Sequence, residues 1–279
     1  MILKSFSKIN LSLKIIGKLK RKNLHNLQSY YCLINLFDVI KIERIKGSMD
    51  KVVFTGKFSG KISKKRNSVL DTLKILRDKN ILSGFYSVLI NKRIPVFSGL
   101  GGGTSNAAHL IRYFTKNKIS KNVLDVLESK IGSDLRLFLH SQGFLSNLKK
   151  NNKSTNKLKL HFLLVFPNIN CSSRYVYSKV KRSLHEKKGN FFQTKDQNKF
   201  IKFINKEKNS LQSIVEYKYP IIKRIIIDIG KRPGCYFSRM TGSGSVCYGV
   251  FKSKKTAKAA LKRVRSKYPN YWFSVAKTI

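Results

Sequence analysis

The sequence predicts an α+β protein in two domains. Two observations carry that prediction. Strand-like runs come first, and mixed helices and strands follow with long connections, without regular βαβ alternation. A polar, lysine-rich stretch with no apolar period, NLKKNNKSTNKL at 147–158, then interrupts the chain. The domains are drawn as 1–148 and 149–279, and a hydrophobic content of 42% over 279 residues is enough for a core in each.

In chain order, KINLSLKII at 8–16 alternates with period two and sets Ile9, Leu11, Leu13 and Ile15 on one face of a half-buried strand. LQSYYCLINLFDVI at 27–40 is apolar and aromatic and reads as strand, with Asp38 as a turn candidate. Residues 50–63 hold short β-like pieces with Gly56 and Gly60, a hairpin signal. NSVLDTLKILRDK at 67–79 spaces Val69, Leu70, Leu73, Ile75 and Leu76 as a helix, with Asn67 or Ser68 as N-cap. A strand at 84–92 and helices at about 104–114 and 120–130 complete the first half. The second half reads as a strand at 159–166, a polar loop with a short helix at 183–199, and helices at 199–214 and 219–230. A strand, glycine turn and strand at 236–251, a basic helix at 253–267 and a last strand at 271–278 follow.

The charge is extreme: 58 Lys+Arg against 13 Asp+Glu give +45. A nucleic-acid binder would concentrate its cations on one tail or strip. Here they are spread along the whole chain, and Lys, Asn and Ile, all read from AT-rich codons, are abundant together. Composition drift accounts for this, with weak polyanion binding as a by-product and no specific nucleic-acid partner. Cys32, Cys171, Cys235 and Cys247 form no CxxC and read as reduced, small hydrophobes of a cytoplasmic protein. Lysines interrupt the apolar N-terminus, and no run reaches the roughly 20 apolar residues of a membrane span, so neither a signal peptide nor a membrane partner is expected. Scattered histidines and the absence of a Gly-x-Ser-x-Gly elbow argue against a protein-ligated metal centre and a serine hydrolase.

The chemistry concentrates in IPVFSGLGGGTSNAA at 94–108. Four glycines lie between Gly99 and Gly103, interrupted only by Leu100. A strand that enters a glycine turn and leaves as a helix cradles phosphate on backbone N–H groups, helped by the helix dipole. Thr104 and Ser105 add hydroxyls able to touch phosphate oxygen or Mg²⁺. No Gly-Lys-Ser/Thr follows, so this is not a P-loop, and the third glycine of a dinucleotide fingerprint would fall on Thr104. A second glycine turn, TGSGS at 241–245, reads alone as a hairpin turn, and beside the first loop as a cover for the same nucleotide.

KIN at 8–10, PVFSGLGGGTSNAA at 95–108 and TGSGS at 241–245 together resemble the GHMP kinase superfamily. The triple glycine with Thr-Ser-Asn-Ala-Ala, SKINLSLKIIGKLKRKNLHNLQS at the start and IGSDLRLFL at 131–139 are most similar to its 4-diphosphocytidyl-2-C-methyl-D-erythritol kinase family, of the non-mevalonate isoprenoid pathway. The resemblance implies a ribosomal S5-like ATP-binding domain followed by an α/β sandwich domain. It implies transfer of the γ-phosphoryl of ATP, with Mg²⁺, to the 2-hydroxyl of a cytidine-diphosphate-linked polyol, by a monomer or weak homodimer. The family's catalytic Asp and Lys map to Asp134 and Lys8. Asp134 also stands out by itself, as a lone acid among Leu135, Leu137, Phe138 and Leu139. A carboxylate there orients a hydroxyl and takes its proton, and an ammonium beside it keeps it charged and stabilises phosphoryl oxygens.

ATP binding carries over to Asn67, Pro95, Gly99, Leu100, Gly101, Gly102, Gly103, Thr104 and Ser105. On the substrate side, His25 falls where the family reads the cytosine edge, Tyr177 where an aromatic stacks on it and Ser173 at its hydroxyl position. Asn10, Gly242, Ser243 and Gly244 join them. Three residues depart from the pattern. Leu24 stands for the usual Tyr and removes a stacking face. Asn106 stands for the more frequent Asp. Arg136 stands for Pro, and either faces the phosphates or marks a relaxed constraint. Two other readings remain open: a mevalonate- or homoserine-type kinase, against which Leu24-His25 and the triple glycine argue, and a basic RNA-binding protein on the same fold.

Overall fold

The computed structural model describes residues 1–19, 24–148, 150–180 and 193–279. These fall into two compact units, the first made of 1–8, 36–96 and 101–139, the second of 9–35, 97–100 and 140–279. The division interleaves segments where composition suggested one cut near 148. The elements in order are β1 (Ile2–Asn10), β2 (Lys14–Leu19), β3 (Leu24–Ile45), β4 (Lys51–Thr55), α1 (Ser68–Asp78), β5 (Phe85–Asn91), α2 (Gly102–Phe114), α3 (Lys121–Ile131) and a 3₁₀ helix (Ser133–Leu139). Then come β6 (Gln142–Asn147), β7 (Lys150–Lys153), β8 (His161–Phe166), α4 (Ser173–Ser178), α5 (Gln197–Lys206), α6 (Gln212–Lys218), α7 (Ile221–Gly230), β9 (Cys235–Met240), β10 (Cys247–Phe251), α8 (Lys254–Lys267) and β11 (Trp272–Lys277).

In the first unit β5 lies between β4 and the C-terminal half of β3, and β1 also pairs with β3. β5 runs antiparallel to β3 but parallel to β4. Parallel neighbours need a crossover, which α1 supplies, so the hairpin expected at 50–63 does not form. Val88 and Ile90 of β5, Ile40 and Ile42 of β3, Leu73 and Leu76 of α1, and Leu110 and Ile111 of α2 are all buried. Asn67 caps α1 as expected, its Oδ1 accepting from the N–H groups of Val69 and Leu70. Asp38 is not in a turn. It lies inside β3, fully buried, and its carboxylate accepts a hydrogen bond from the Lys92 ammonium.

In the second unit the N-terminal half of β3 pairs with β2 and with β6, and β6 pairs with β7. The polar stretch at 147–158 therefore contains a strand rather than a plain linker. The run at 8–16 breaks after Asn10 because the N–H groups of Leu11 and Leu13 bond to Tyr30 and Lys208 carbonyls instead of continuing one ladder, yet Ile9, Leu11, Leu13 and Ile15 are all buried. A separate antiparallel sheet has the order β11-β8-β10-β9. β8 is central and its residues 162–166 are buried on both faces, which explains an unbroken apolar run. α7 buries Ile222, Ile225, Ile226 and Ile229. α8 buries only Ala257, Ala260 and Val264, and starts at a reciprocal Ser253–Thr256 capping box. The helix expected at 199–214 is two, α5 and α6, divided at Asn209, whose Oδ1 accepts from the Leu211 N–H. The short helix expected within 183–199 falls largely outside the described residues. Among those described, no helix is long and apolar enough to cross a membrane.

All four cysteines are free. Burial pushes the Cys171 thiol up to about 11 and the Cys235 thiol up to about 12, and burial raises Cys32 and Cys247 as well. The thiolate is the nucleophile, and at pH 8 it is on the order of a thousandth of Cys171. Iodoacetamide at pH 8 is therefore expected to leave the folded protein unlabelled and to add four groups in guanidinium, read by intact mass. Fast labelling of the folded protein would contradict this account of the four thiols.

Candidate active site

The glycine loop is shaped by close packing. Gly99 and Gly101 have φ of +80° and +71°, where a Cβ is strained. A Cβ at Gly99 would lie 2.2 Å from the Thr241 carbonyl oxygen. One at Gly101 would lie 2.9 Å from the Phe138 ring and 3.2 Å from Lys8 Cε, and one at Gly102 would lie 3.0 Å from Ile94. Only at Gly103 is there room, the nearest atom being 3.5 Å away. Gly99 and Gly101 are thus required by their neighbours in the fold, whatever binds beside them, and a Cβ at Gly102 would need the Ile94 side chain to give way.

α2 starts inside the run, at Gly102, two residues before the expected Thr104. Its N-cap Gly101 supplies no side-chain hydrogen bond. The first-turn N–H groups of Gly102, Gly103 and Thr104 have no intrahelical acceptor, and the positive end of the helix dipole lies there. Thr104 is half-buried. Ser105 is a correction: it is fully buried, and its hydroxyl donates to the Phe6 carbonyl and bonds the Ser5 hydroxyl. Pro95 and Leu100 are buried and shape the loop. Asn67 uses its side-chain oxygen as the α1 cap, while the Ser68 hydroxyl donates to the Gly103 carbonyl at 2.9 Å.

Beside Gly101, Lys8 and Asp134 form an ion pair of 3.2 Å, with side chains 3% and 39% exposed. The two residues predicted to do the chemistry are therefore in contact, the ammonium enclosed and the carboxylate open. Arg136, two residues on, has its guanidinium 2.6 Å from both Asp125 and Glu128 of α3. This charge is held by α3, which explains how the 3₁₀ helix carries an arginine there.

In the second unit the rings of His25 and Tyr177 stack with centroids 5.6 Å apart and planes 21° from parallel. The hydroxyls of Ser173 and Ser243 are 2.7 Å apart. The TGSGS turn joins β9 to β10 with Gly242 and Gly244 at positive φ. Asn209 Nδ2 donates to the carbonyls of Met240 and Gly242 and holds the turn. No motif marks Asn209. Asn10 is buried, its side-chain amide donating to Ser29 Oγ and its backbone N–H to Thr241 Oγ1. The Leu24 side chain lies outside the described residues.

Residues 190–270 match the family described as GHMP kinases C terminal. The 4-diphosphocytidyl-2-C-methyl-D-erythritol kinase of Pelagibacter ubique is 36% identical over an alignment of 286 residues, covering 99% of this chain and 98% of its own. This chain belongs to the 4-diphosphocytidyl-2-C-methyl-D-erythritol kinase family. Another relative of that name, from Anaplasma marginale, is 30% identical across 95% of this chain and 93% of its own. A crystal structure of 4-(cytidine 5'-diphospho)-2C-methyl-D-erythritol kinase superposes with a TM-score of 0.73 at 19% identity, covering 99% of both chains. Homoserine kinase from Cytophaga hutchinsonii reaches 0.68 at 13% identity, covering 100% of this chain and 94% of its own. The GHMP kinase fold thus runs through the whole chain, and the chain is a small-molecule kinase of α+β class.

The loop geometry separates the glycines of this kinase experimentally. Gly99→Ala combines a strained φ with overlap on Thr241 and is expected to cost about 2–5 kcal/mol in urea unfolding. Gly103→Ala, whose Cβ would meet only an ordinary contact with Ser68 inside a helix, is expected to be neutral or stabilising by up to about 1 kcal/mol. Equal effects of the two would contradict the packing described.

Proposed function

We propose that the protein transfers the γ-phosphoryl group of Mg·ATP to the 2-hydroxyl of 4-diphosphocytidyl-2-C-methyl-D-erythritol, a step of isoprenoid precursor synthesis. The observation that carries this is the Lys8–Asp134 pair beside the mouth of α2. Asp134, on the open side of the pair, accepts the proton of the substrate hydroxyl as its oxygen attacks phosphorus. Lys8, in contact with the carboxylate, orients it and offsets charge on the phosphoryl oxygens in transfer. First-turn N–H groups of α2 take phosphate oxygens.

Among the described residues no group of three or more His, Cys, Asp or Glu could hold a metal. Mg²⁺ would be carried by the nucleotide phosphates with the Thr104 hydroxyl as its protein ligand, and would supply neutralisation of phosphate charge. Ser173, Ser243 and the backbone of Gly242 and Gly244 are assigned to the substrate. His25 offers one donor and one acceptor to a cytosine edge. A base between its ring and that of Tyr177 would need about 7 Å, twice a ring contact of roughly 3.5 Å. The spacing is 5.6 Å, so the cytosine seats against the pair rather than between the rings. The same reading makes the protein a cytoplasmic monomer or weak homodimer whose partner is a small molecule and not a nucleic acid.

ADP release with Mg·ATP and this substrate tests the reading. The wild type should turn over in a substrate-dependent way. Asp134→Asn should lose about 10²–10⁴ in kcat with little change in Mg·ADP affinity, and Lys8→Met should also lose turnover. Wild-type protein that binds nucleotide but phosphorylates nothing here would sink the substrate assignment. Absence of nucleotide binding would sink the kinase.

A further inference from the structure

The first unit buries one polar cluster that the chemistry above does not use. Asp38, Lys92 and Asn106 are each at most 1% exposed. The Lys92 ammonium donates to Asp38 Oδ2 and, at 2.9 Å, to Asn106 Oδ1. Asn106 Nδ2 donates to Asp38 Oδ2 at 3.0 Å and to Ser5 Oγ at 2.9 Å. Asp38 Oδ1 accepts the backbone N–H groups of Arg93 at 2.7 Å and Ile94 at 2.9 Å. Burial draws the Lys92 ammonium below its ordinary value and the Asp38 carboxylate opposes that shift.

A buried ion pair is weak support for stability, since apolar residues of the same volume often serve as well. What this one holds is the chain. Arg93 and Ile94 form the arm that leads into the glycine loop, and Asn106 is on the helix that leads out. One carboxylate grips both arms. Lys92 Nζ also lies 3.4 Å from where a Gly102 Cβ would stand, directly under the first residue of α2.

We propose that Asp38, Lys92 and Asn106 are positioning residues for the nucleotide, a clamp across the two arms of the glycine loop that holds the first-turn N–H groups of α2 ready for phosphate. The proposal rests on the kinase reading for what it binds. A loose loop must be ordered at the moment of binding, and that ordering subtracts from affinity. The loss falls on ATP and leaves the acceptor substrate unaffected.

Two full-chain variants test the clamp. Asn106→Ala removes the tether to α2 and keeps the ion pair. Asp38→Leu/Lys92→Met removes both charges together, so no orphaned ion remains. Affinity for Mg·ADP by calorimetry requires no acceptor and is measured first, with thermal melts and both KM values alongside. Both variants are expected to weaken Mg·ADP and raise the ATP KM on the order of tenfold, with the acceptor KM within about twofold. A purely structural role would lower Tm and the active fraction without moving either KM. Folded variants with unchanged Mg·ADP affinity, or with both KM values raised alike, would overturn the clamp. So would failure of both variants to fold, or a wild type that does not bind Mg·ADP. A wild type that binds Mg·ADP but leaves the proposed acceptor untouched defeats only the substrate assignment, and the calorimetry still decides the clamp.

Discussion

The close passage of backbone at Gly101 is the constraint on which the Lys8–Asp134 ion pair depends. The Phe138 ring and the stem of Lys8 press on this position so tightly that no Cβ fits. A side chain there would push Lys8 aside, and the Lys8 ammonium is what meets Asp134. The same residue, in a left-handed conformation, turns the chain into α2 and frees the first turn from a side-chain cap. One missing methyl group thus couples the start of α2 to the Lys8–Asp134 pair.

The pair is asymmetric in a useful way. An enclosed ammonium interacts strongly because little water screens it. An open carboxylate can reach a hydroxyl from outside. In a chain with only 13 acids, several of the buried or half-buried ones are tied down by specific partners: Asp38 by Lys92, Asp50 by Arg77, Glu128 by Arg136. Asp134, beside Gly101, keeps an open face, its side chain 39% exposed.

What was legible in the sequence was local. Asn67 caps α1 where its position before an apolar-periodic run suggests, because capping involves only neighbours two or three residues on. The continuous run LHFLLVFP was legible because a strand buried on both faces has no polar positions. Asp38 looks like a turn residue in the sequence because an acid in an apolar run has no local partner, and the lysine that meets it, Lys92, lies just past the end of β5. Residues 50–63 were misread because parallel pairing is made across α1 and leaves no local mark. The polar 147–158 hid β7 because an edge strand is protected by charge and carries no apolar alternation. Ser105 reads as a group at the helix mouth if the helix begins at Thr104, and with α2 starting at Gly102 it lies one turn inside. Lys8 with Asp134, and His25 with Tyr177, were paired only by the family resemblance, since no spacing rule joins residues so far apart.

Arg136 has a consequence of another kind. A proline stiffens a chain by its ring, which no solute can weaken. Arg136 steadies the segment that carries Asp134 by charge, through Asp125 and Glu128. Dissolved ions screen exposed charges over a Debye length of about 8 Å under physiological conditions, and buried ones much less. The Asp125 partner, 42% exposed, yields to added salt, and the Glu128 partner, 14% exposed, holds. The firmness of the seat beneath Asp134 therefore follows the ionic composition of the surrounding fluid.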